Sequence, residues 1–317
     1  MVVLISGASG FIGRSLVGHL CSLGYSVVAL SRKIDNVFPV GVRSIRGDLM
    51  EPSSLPPDLF CGVKAVFHCA GEINDPLNMR RLHVDGTARL LDLACREAAG
   101  NSSHPIRWVQ LSSVGAYGPG GRSGLERVVT ESSAENPRGE YEITKTEADR
   151  LLLKASKEGK ISLTILRPSN VFGPGMPNRS LPNLLKAVRR GLFFYMGSRE
   201  AISTYVHVDD VARALAACAG SPNAIGKIYN LSNDCPLSEL VNAVADSYGR
   251  NRPRLVVPES LVRLLTHVFE GRSFWPLTSS RIDALVSRTR YPADLIRREL
   301  GFEFSRPVPV SALELLD

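Results

Sequence analysis

The stretch "VVLISGASGFIG", residues 2–13, decides the fold of this chain. An apolar run ends at Ser6, and glycines follow at positions 7, 10 and 13. A strand that enters such a turn and leaves it as a helix lets a pyrophosphate approach the backbone, because glycine carries no Cβ. The N-terminus of the helix then offers amide donors to the phosphates. At the start of a β-α-β unit, the GxxGxxG spacing predicts a dinucleotide-binding turn. The residues expected to contact the dinucleotide are Gly7, Ser9, Gly10, Phe11, Ile12 and Gly13.

Short apolar strands alternate with helical patterns through the first half of the chain. The predicted strands are Val2–Ser6, Ser26–Ser31, Val42–Arg46, Ala65–Cys69, Arg107–Ser112 and Ser162–Arg167. The predicted helices are Phe11–Leu23, Met79–Ala99 and Glu140–Lys157. This alternation indicates an α/β fold built on a doubly wound parallel sheet of the Rossmann kind, covered by helices on both faces.

The pattern loosens after Pro168, where prolines and glycines interrupt the chain. A helix is expected at Leu181–Arg190 and a further strand at Lys227–Leu231, and the remainder mixes short helices with loops. We therefore expect a dinucleotide-binding domain at residues 1–170, joined by a strand near 227–231. Residues 171–317 should form a smaller, irregular C-terminal domain that mainly binds substrate.

Length and composition limit the class of protein. The 317 residues with 44% hydrophobic content can bury a large core, in one large domain or two closely joined ones. No run of eighteen apolar residues and no secretory leader pattern is present, so no membrane association is expected. The six cysteines form no CxxC or Cys/His cluster. We expect buried free thiols, no metal site and a cytoplasmic location.

The net charge of +7 suits anionic small molecules as well as nucleic acid. However, the chain has no long Lys/Arg run and no basic stretch interleaved with aromatic residues. A small-molecule substrate is therefore favoured, and no nucleic-acid partner is expected.

The residues at the end of the second predicted strand indicate whether the chain binds NAD or NADP. An acidic residue there binds the ribose 2′-hydroxyl of NAD, whereas a basic residue accepts the 2′-phosphate of NADP. The segment reads "VVALSRKID", with Ser31, Arg32 and Lys33 at the strand end and Asp35 further on. A hydroxyl and two cations suit a 2′-phosphate, so NADP is favoured over NAD. The alternative is that Arg32 and Lys33 are solvated loop charges.

A serine pair and a tyrosine–lysine pair form the candidate catalytic pattern. "LSSVGAYG", residues 111–118, stands at the carboxyl end of a predicted strand, where ligands of parallel sheets bind. Tyr141 and Lys145 are one helical turn apart on the predicted helix 140–157. A carbonyl that takes a hydride also needs a proton; a tyrosine can deliver it, and a neighbouring cation favours the phenolate. Ser113 could orient the substrate oxygen and donate to the developing alkoxide, and Lys145 could hold the nicotinamide ribose.

This combination resembles the extended short-chain dehydrogenase/reductase family over nearly the whole chain. The matching segments are "GASGFIG", "GDL", "CAG", "VDGT" (84–87), "LSSVGAYG", "YEITK", "RPSNVFGPG" (167–175) and "YVHVDDVARAL" (205–215). The resemblance implies an NAD(P)-dependent enzyme of the nucleotide-sugar epimerase or reductase type, with Ser113, Tyr141 and Lys145 as its catalytic triad. It also implies a homodimer built on a four-helix bundle. The further contacts it implies are Asp48 and Leu49 with adenine, Cys69, Ala70, Gly71 and Pro168 with the cofactor, and Asn170 with the substrate.

Two residues depart from the pattern of sugar-nucleotide members. Ser203 stands where those members commonly carry an arginine that pairs with the diphosphate. Two phosphates need a cation, so Arg281, or else Arg199 or Arg288, would have to replace it. The segment "HVDGT" carries His83 where the family usually has asparagine, and a structural variant is favoured over a catalytic role.

Three functions remain open at this point. Val114 and Gly115, beside the catalytic serine, argue against dehydration, so 4-keto reduction or epimerisation of a nucleotide-linked sugar is expected first. A second possibility is a reductase or dehydrogenase of hydrophobic ketones or alcohols of the sterol or flavonoid kind. The apolar segment "LFFYMG" (192–197) could line such a pocket or equally belong to the core. The third is a redox-silent dinucleotide-binding regulator, although such proteins generally lose the tyrosine or the lysine.

Overall fold

The computed structural model describes residues 1–33, 38–101, 105–120, 124–269, 272 and 277–316. The strands in these ranges are β1 (Val2–Ser6), β2 (Ser26–Ser31), β3 (Arg43–Arg46), β4 (Ala65–His68), β5 (Ile106–Leu111), β6 (Glu126–Val128), β7 (Ile161–Pro168), β8 (Asn170–Phe172), β9 (Tyr195–Met196), β10 (Ile202–Ser203), β11 (Tyr205–His207), β12 (Ile228–Leu231), β13 (Cys235–Pro236), β14 (Val256–Val257) and β15 (Arg288–Arg290). The helices are α1 (Phe11–Ser22), α2 (Pro76–Arg80), α3 (Thr87–Asn101), α4 (Glu140–Lys157), α5 (Ser180–Arg189), α6 (Val208–Gly220), α7 (Leu237–Ser247), α8 (Glu259–Phe269), α9 (Ser279–Val286), α10 (Asp294–Leu300) and α11 (Val308–Ser311).

The centre of the molecule is a seven-stranded parallel sheet in the order β12-β7-β5-β4-β1-β2-β3. The chain runs outward from β1 in one direction through β2 and β3, then returns to β4 on the other side of β1. This reversal opens a crevice at the carboxyl ends of β1 and β4, which is where such sheets bind ligands. The predicted doubly wound Rossmann sheet is confirmed.

Helices cover both faces of the sheet with separate apolar layers. One layer packs Leu16 and Leu20 of α1 and Val211 of α6 against the sheet. The opposite layer packs Leu90 of α3 and Leu152 of α4 around the buried Trp108 and its neighbours. Both strand faces are therefore apolar, which explains why the strands read as continuous apolar runs rather than as alternating ones.

The second half of the chain contributes β12 to the main sheet and otherwise forms short strand pairs. These pairs are β8 with β11, β9 with β14, β10 with β13, and β6 with β15. A third apolar cluster, containing Leu185 of α5, Leu240 of α7 and Val308 of α11, holds this part together. The strand expected at Lys227–Leu231 is β12, which pairs in parallel with β7. The assignment of residues 171–317 to substrate binding stays a prediction.

The predicted helix Met79–Ala99 differs from the observed structure. Helix α2 starts earlier, at Pro76, and Arg81–Gly86 form a π-helical turn before α3 begins. Asp75 caps α2 by accepting from the Leu77 amide at 3.0 Å. A π-turn inserts an extra residue into the helix, and periodicity alone does not reveal it.

The cysteines are only in part the buried thiols that the sequence suggested. All six are unpaired, and Cys218 and Cys235 are buried, but Cys61 is exposed. Among the described residues, no helix has the length and apolar character needed to cross a membrane. Within the same residues, no group of three or more His, Cys, Asp or Glu side chains could hold a metal ion.

Candidate active site

The glycine turn after β1 is packed too tightly for any other residue at two positions. Gly7 has φ +69°, and a Cβ there would lie 2.7 Å from the Cα of Ala70. A Cβ on Gly13 would overlap the carbonyl oxygen of Gly7. The turn therefore presses against the segment after β4, and bare backbone lines the crevice between the two strands.

The start of α1 fits the pyrophosphate of a dinucleotide. Gly10 is the N-cap and provides no side-chain cap, and the first turn carries no acidic residue. The unpaired backbone amides of the first turn and the positive end of the helix dipole are thus directed at the crevice. No side-chain carboxylate of that turn competes with a phosphate for these amides. Phe11 and Ile12 lie in this first turn, as predicted.

The end of β2 joins the glycine turn through two serines. Ser31 is buried, and its hydroxyl donates to Ser9 Oγ at 2.8 Å. Arg32 and Lys33 follow immediately and are exposed. The two cations therefore follow the residue that joins β2 to the glycine turn. Asp35 lies outside the described residues.

The remaining predicted cofactor residues lie at neighbouring strand ends. Leu49 is buried, and Asp48 Oδ1 accepts from the Met50 amide at 2.9 Å. Cys69 follows β4, and its amide donates to Ser6 O at 3.1 Å. Burial raises the pKa of the Cys69 thiol to about 12, so it remains neutral. Ala70 and Gly71 continue from it along the glycine turn.

Two buried bonds tie α4 to the carboxyl end of β5. Lys145 Nζ donates to the Leu111 carbonyl oxygen at 2.6 Å. One turn further along α4, Asp149 Oδ2 accepts from the Ser112 hydroxyl at 2.6 Å. Tyr141 lies one turn before Lys145 on the same helix face. It is therefore held beside the turn that follows Ser112.

Ser113 begins that turn as the N-cap of a short 3₁₀ helix, Val114–Tyr117. Its Oγ accepts from the Gly115 amide at 3.1 Å. A Cβ on Gly115 would lie 3.1 Å from Glu142 Cγ and 3.3 Å from Ser113 Oγ, so this turn touches the start of α4. The structure thus brings Ser113, Tyr141 and Lys145 to one edge of the sheet.

The pKa of Tyr141 moves in the direction opposite to the sequence-based expectation. Burial and then the Asp149 carboxylate raise it to about 12. Burial also lowers the pKa of Lys145, a shift that Asp149 opposes. Burial penalises the charged phenolate here, and the expectation that Lys145 together with a nicotinamide ring favours the phenolate stays a prediction. Tyr141 is therefore a protonated acid at neutral pH.

A buried ionic network beneath the site was not predicted. Arg167 of β7 is 1% exposed and bonds to Asp149 at 3.1 Å and to Glu135 at 2.6 Å. Its guanidinium also lies 5.0 Å from the ring centroid of Tyr117. Asp149 is four residues after Lys145, so its place on the catalytic face of α4 could have been read from helical spacing. Its arginine partner could not.

The predicted substrate residues lie in different environments. Asn170 is exposed at the start of β8, two residues after Pro168, and its side-chain amide donates to Thr204 O at 3.1 Å. Arg281 is half-buried on α9, and its backbone N–H donates to Thr278 Oγ1. Ser203 is buried on β10, and its hydroxyl finds no partner among the described residues.

Comparisons with known proteins agree with this architecture. A model of the NAD dependent epimerase/dehydratase family matches residues 3–232. The chain is 26% identical over 336 residues to short-chain dehydrogenase/reductase family 42E member 1 of Xenopus laevis, covering 95% of this chain and 84% of that protein. It is 28% identical over 324 residues to the 2-alkyl-3-oxoalkanoate reductase of Stenotrophomonas maltophilia, covering 95% and 94%. The solved structure of MoeE5 in complex with UDP-glucose and NAD has 26% identity and a TM-score of 0.73, and the match covers 100% of this chain and 97% of that one. Because the family model spans well over half of the sequence, the chain belongs to the NAD dependent epimerase/dehydratase family, the extended short-chain dehydrogenases/reductases, and is an NAD(P)-dependent oxidoreductase or epimerase.

Proposed function

We propose that this enzyme is an NADP(H)-dependent oxidoreductase that interconverts a ketone and a secondary alcohol at Tyr141. The observation that carries the proposal is the double attachment of α4 to β5 through Lys145 and Asp149. This attachment holds Tyr141, one turn earlier on α4, beside the turn that Ser113 begins, which supports a phenol directed at the crevice. Proton transfer needs such a fixed acid within reach of the substrate oxygen.

Ser113, Tyr141 and Lys145 each have a separate role in the proposed reduction. A bound nicotinamide would supply the hydride that forms the new C–H bond at the carbonyl carbon. Ser113 accepts from the Gly115 amide through a lone pair, which leaves its hydroxyl hydrogen for the carbonyl oxygen. Tyr141 gives its phenolic proton to that oxygen as the C=O bond opens, and the nearby cation of Lys145 favours the phenolate that remains.

The cations after β2 support NADP as the cofactor. Arg32 and Lys33 are exposed beside Ser31, which bonds to Ser9 of the glycine turn. Arginine and lysine both bind phosphate well, arginine through two parallel hydrogen bonds. We infer that Arg32 is the main contact of the 2′-phosphate.

The substrate we favour is a ketone with apolar substituents and no diphosphate. Ser203 replaces the cation that would pair with a diphosphate, and it is buried. Two of the three arginines named as substitutes already have partners: Arg288 bonds to Ser198 and pairs with Glu200, and the Arg199 guanidinium lies 5.1 Å from the ring centroid of Tyr195. The Stenotrophomonas maltophilia relative, a 2-alkyl-3-oxoalkanoate reductase by name, agrees with this choice. Segment 192–197 does not add to this choice, because Tyr195 and Met196 are buried in apolar clusters.

A nucleotide-linked sugar is the second candidate, for 4-keto reduction or epimerisation. Its support is the likeness over the full chain to MoeE5, whose structure contains UDP-glucose and NAD. Arg281 would then be the cation for the diphosphate. We also expect a homodimer packed through α3 and α4, which analytical ultracentrifugation would test. The cytoplasmic location stays a prediction from the sequence.

Substitution of Tyr141 tests the proposed reaction. NADPH oxidation at 340 nm would be measured with a panel of 2-alkyl-3-oxo acids, steroid ketones and 4-keto nucleotide sugars. Tyr141→Phe should lower kcat by about 1,000-fold, since the proton donor is lost, and change the NADPH dissociation constant by less than about threefold. Tyr25→Phe, on a partly buried tyrosine after α1, is the matched control. Wild-type turnover in Tyr141→Phe would refute the assignment.

The panel also separates the two substrate classes. Each compound would be added to the NADP complex, and the unfolding temperature would be measured, because a true ligand stabilises the protein by mass action. Stabilisation by apolar ketones alone supports the favoured substrate, and stabilisation by nucleotide sugars alone supports the second. A protein that binds NADPH but reduces no compound of either class would support the redox-silent regulator.

A further inference from the structure

His83 occupies the middle of the π-helical turn between α2 and α3 and is 1% exposed. Its Nε2 accepts from the Glu72 amide at 2.9 Å. Its Nδ1 lies 2.8 Å from Thr144 Oγ1 on the catalytic helix. The ring therefore connects two segments that are far apart in the chain, namely the loop after β4 and α4.

The hydrogen bonds define which ring nitrogen carries the proton. The Glu72 amide can only donate, so Nε2 must present its lone pair. Thr144 Oγ1 lies 2.7 Å from the Glu140 carbonyl oxygen, to which it donates, and it can therefore accept from Nδ1–H. Both nitrogens are used, and burial followed by the charge of Lys145 lowers the pKa of His83 to about 3. The imidazole is neutral and has no nitrogen left for proton transfer.

The same ring contacts the proposed acid directly. The ring centroids of His83 and Tyr141 are 5.6 Å apart, and the planes meet at 85° in an edge-to-face arrangement. On its other side, His83 Nε2 would be 3.6 Å from a Cβ on Gly71, a predicted cofactor contact. One side chain thus touches both the segment along which the cofactor would pass and the residue that would deliver the proton.

We propose that His83 is a positioning residue, whose neutral imidazole sets the place of Tyr141 relative to the loop Cys69–Glu72. This proposal rests on the proposed function, since it concerns the geometry of that reaction. Hydride and proton must reach the same carbonyl group, so the cofactor loop and the phenol need a fixed separation. His83 lies in the π-turn between α2 and α3, and from there its ring contacts both the loop Cys69–Glu72 and Tyr141.

Three substitutions of His83 test its two hydrogen bonds, to the Glu72 amide and to Thr144 Oγ1, separately and together; we call this pair of bonds the His83 bridge. His83→Asn retains a donor for Thr144 but loses the acceptor for Glu72. His83→Gln retains an acceptor at the position of Nε2 but loses the donor to Thr144. His83→Phe retains the ring and loses both bonds. We expect kcat to fall about 10-fold in the first two and about 100-fold in the third, while KM and the NADPH dissociation constant change less than about threefold.

His68 offers a matched control for the loss of a buried histidine. It is 1% exposed on β4 and lies within hydrogen-bond distance of Ser6 and Thr87 rather than of Thr144. His68→Gln should lower the unfolding temperature as much as His83→Gln does but keep kcat within about twofold. Equal losses of kcat in the two variants, or wild-type kcat in His83→Phe, would overturn the proposal.

A measurement independent of turnover completes the test. ¹⁵N–¹H correlation spectra of histidine-labelled protein should show His83 protonated on Nδ1 alone from pH 5.5 to 8. In Thr144→Val this pattern should weaken or change, because the acceptor of Nδ1–H is removed. Protonation of the ring near pH 6.5, or Nε2–H in the wild type, would contradict the bridge. If no ketone oxidises NADPH, the proposed function fails, and these spectra still decide whether the bridge exists.

Discussion

Lys145 Nζ donates to the backbone carbonyl oxygen of Leu111 across 2.6 Å, so the proposed catalytic cation is also a structural clamp. The bond is buried and joins α4 to the last residue of β5. Asp149 makes the matching bond to Ser112 one turn later. Since two successive turns of α4 bond to Leu111 at the end of β5 and to Ser112 directly after it, the helix cannot slide without breaking both bonds. The position of Tyr141 is thereby fixed by the sheet.

Replacement of Lys145 should damage catalysis more than stability. Lys145→Met keeps most of the side-chain volume but removes the cation beside Tyr141 and the donor to Leu111. We expect kcat to fall by at least about 100-fold and the free energy of unfolding to fall by about 1–3 kcal/mol, the cost of an unpaired buried carbonyl. Stopped-flow reduction and urea unfolding measure the two effects. Lys154→Met, on an exposed lysine of the same helix, is the control and should change neither. Full activity in Lys145→Met would remove the cation from the mechanism.

The sheet and most helices could be predicted from the sequence because their signals are local. Strand β1 begins and ends as predicted, and α1 and α4 differ from their predicted bounds by at most one residue. Apolar runs, glycine turns and helical spacing are all visible within a short window. The candidate residues Ser113, Tyr141 and Lys145 were found the same way, since each stands at a strand end or on one helix face.

The features that the sequence did not reveal depend on contacts between distant residues. Arg167 and Glu135 are 32 positions apart, and no local pattern marks them as partners. The bond from His83 to Thr144 spans 61 positions and starts from a π-turn, which helical periodicity does not reveal. The pKa direction of Tyr141 depends on how deeply α4 packs, which helical spacing cannot indicate.

The charge of Arg32 should decide between the two cofactors. Arg32→Glu places a carboxylate where the 2′-phosphate is expected, so like charges repel. The NADPH dissociation constant should rise by about 30-fold or more, whereas that for NADH should change by less than about threefold. Fluorescence titration of both cofactors measures the difference. Arg43→Glu, at the far end of β3, where Arg43 pairs with Val28, is the charge-matched control. An equal loss for NADPH and NADH would remove Arg32 from the phosphate site.

The glycine turn should tolerate no Cβ at position 7. Gly7→Ala combines a positive φ with a contact of 2.7 Å to the Cα of Ala70, so the ends of β1 and β4 must separate. We expect a loss of about 2–4 kcal/mol in the free energy of unfolding, together with weaker NADPH binding. Gly24→Ala is the control, because Gly24 has φ +78° but nothing within 4 Å of a Cβ. It should lose only about 1 kcal/mol and keep its affinity for NADPH. Equal losses in the two variants would show that φ alone matters at Gly7.

Two buried histidines should make the fold sensitive to mild acid. Burial lowers the pKa of His68 and of His83 from 6.5 to about 3. Between these values the unfolded chain binds protons that the folded chain does not, so the free energy of unfolding falls as the pH falls through 6.5. Each histidine contributes a slope of up to about 1.4 kcal/mol per pH unit in that window. The loss from pH 7 to pH 5 should therefore approach about 2 kcal/mol for each of them.

Urea unfolding at pH 7 and pH 5 measures this loss in the wild type and in variants. His68→Gln and His83→Gln should each be less stable than the wild type at pH 7, where the neutral rings are fully bonded. Each should also lose about 2 kcal/mol less than the wild type on acidification, since one titrating ring is gone. His267→Gln removes an exposed ring on α8 and is the control for the loss of a histidine from the surface. An unchanged pH difference in both buried variants would mean that these rings bind protons equally in the folded and unfolded chains, contrary to their burial.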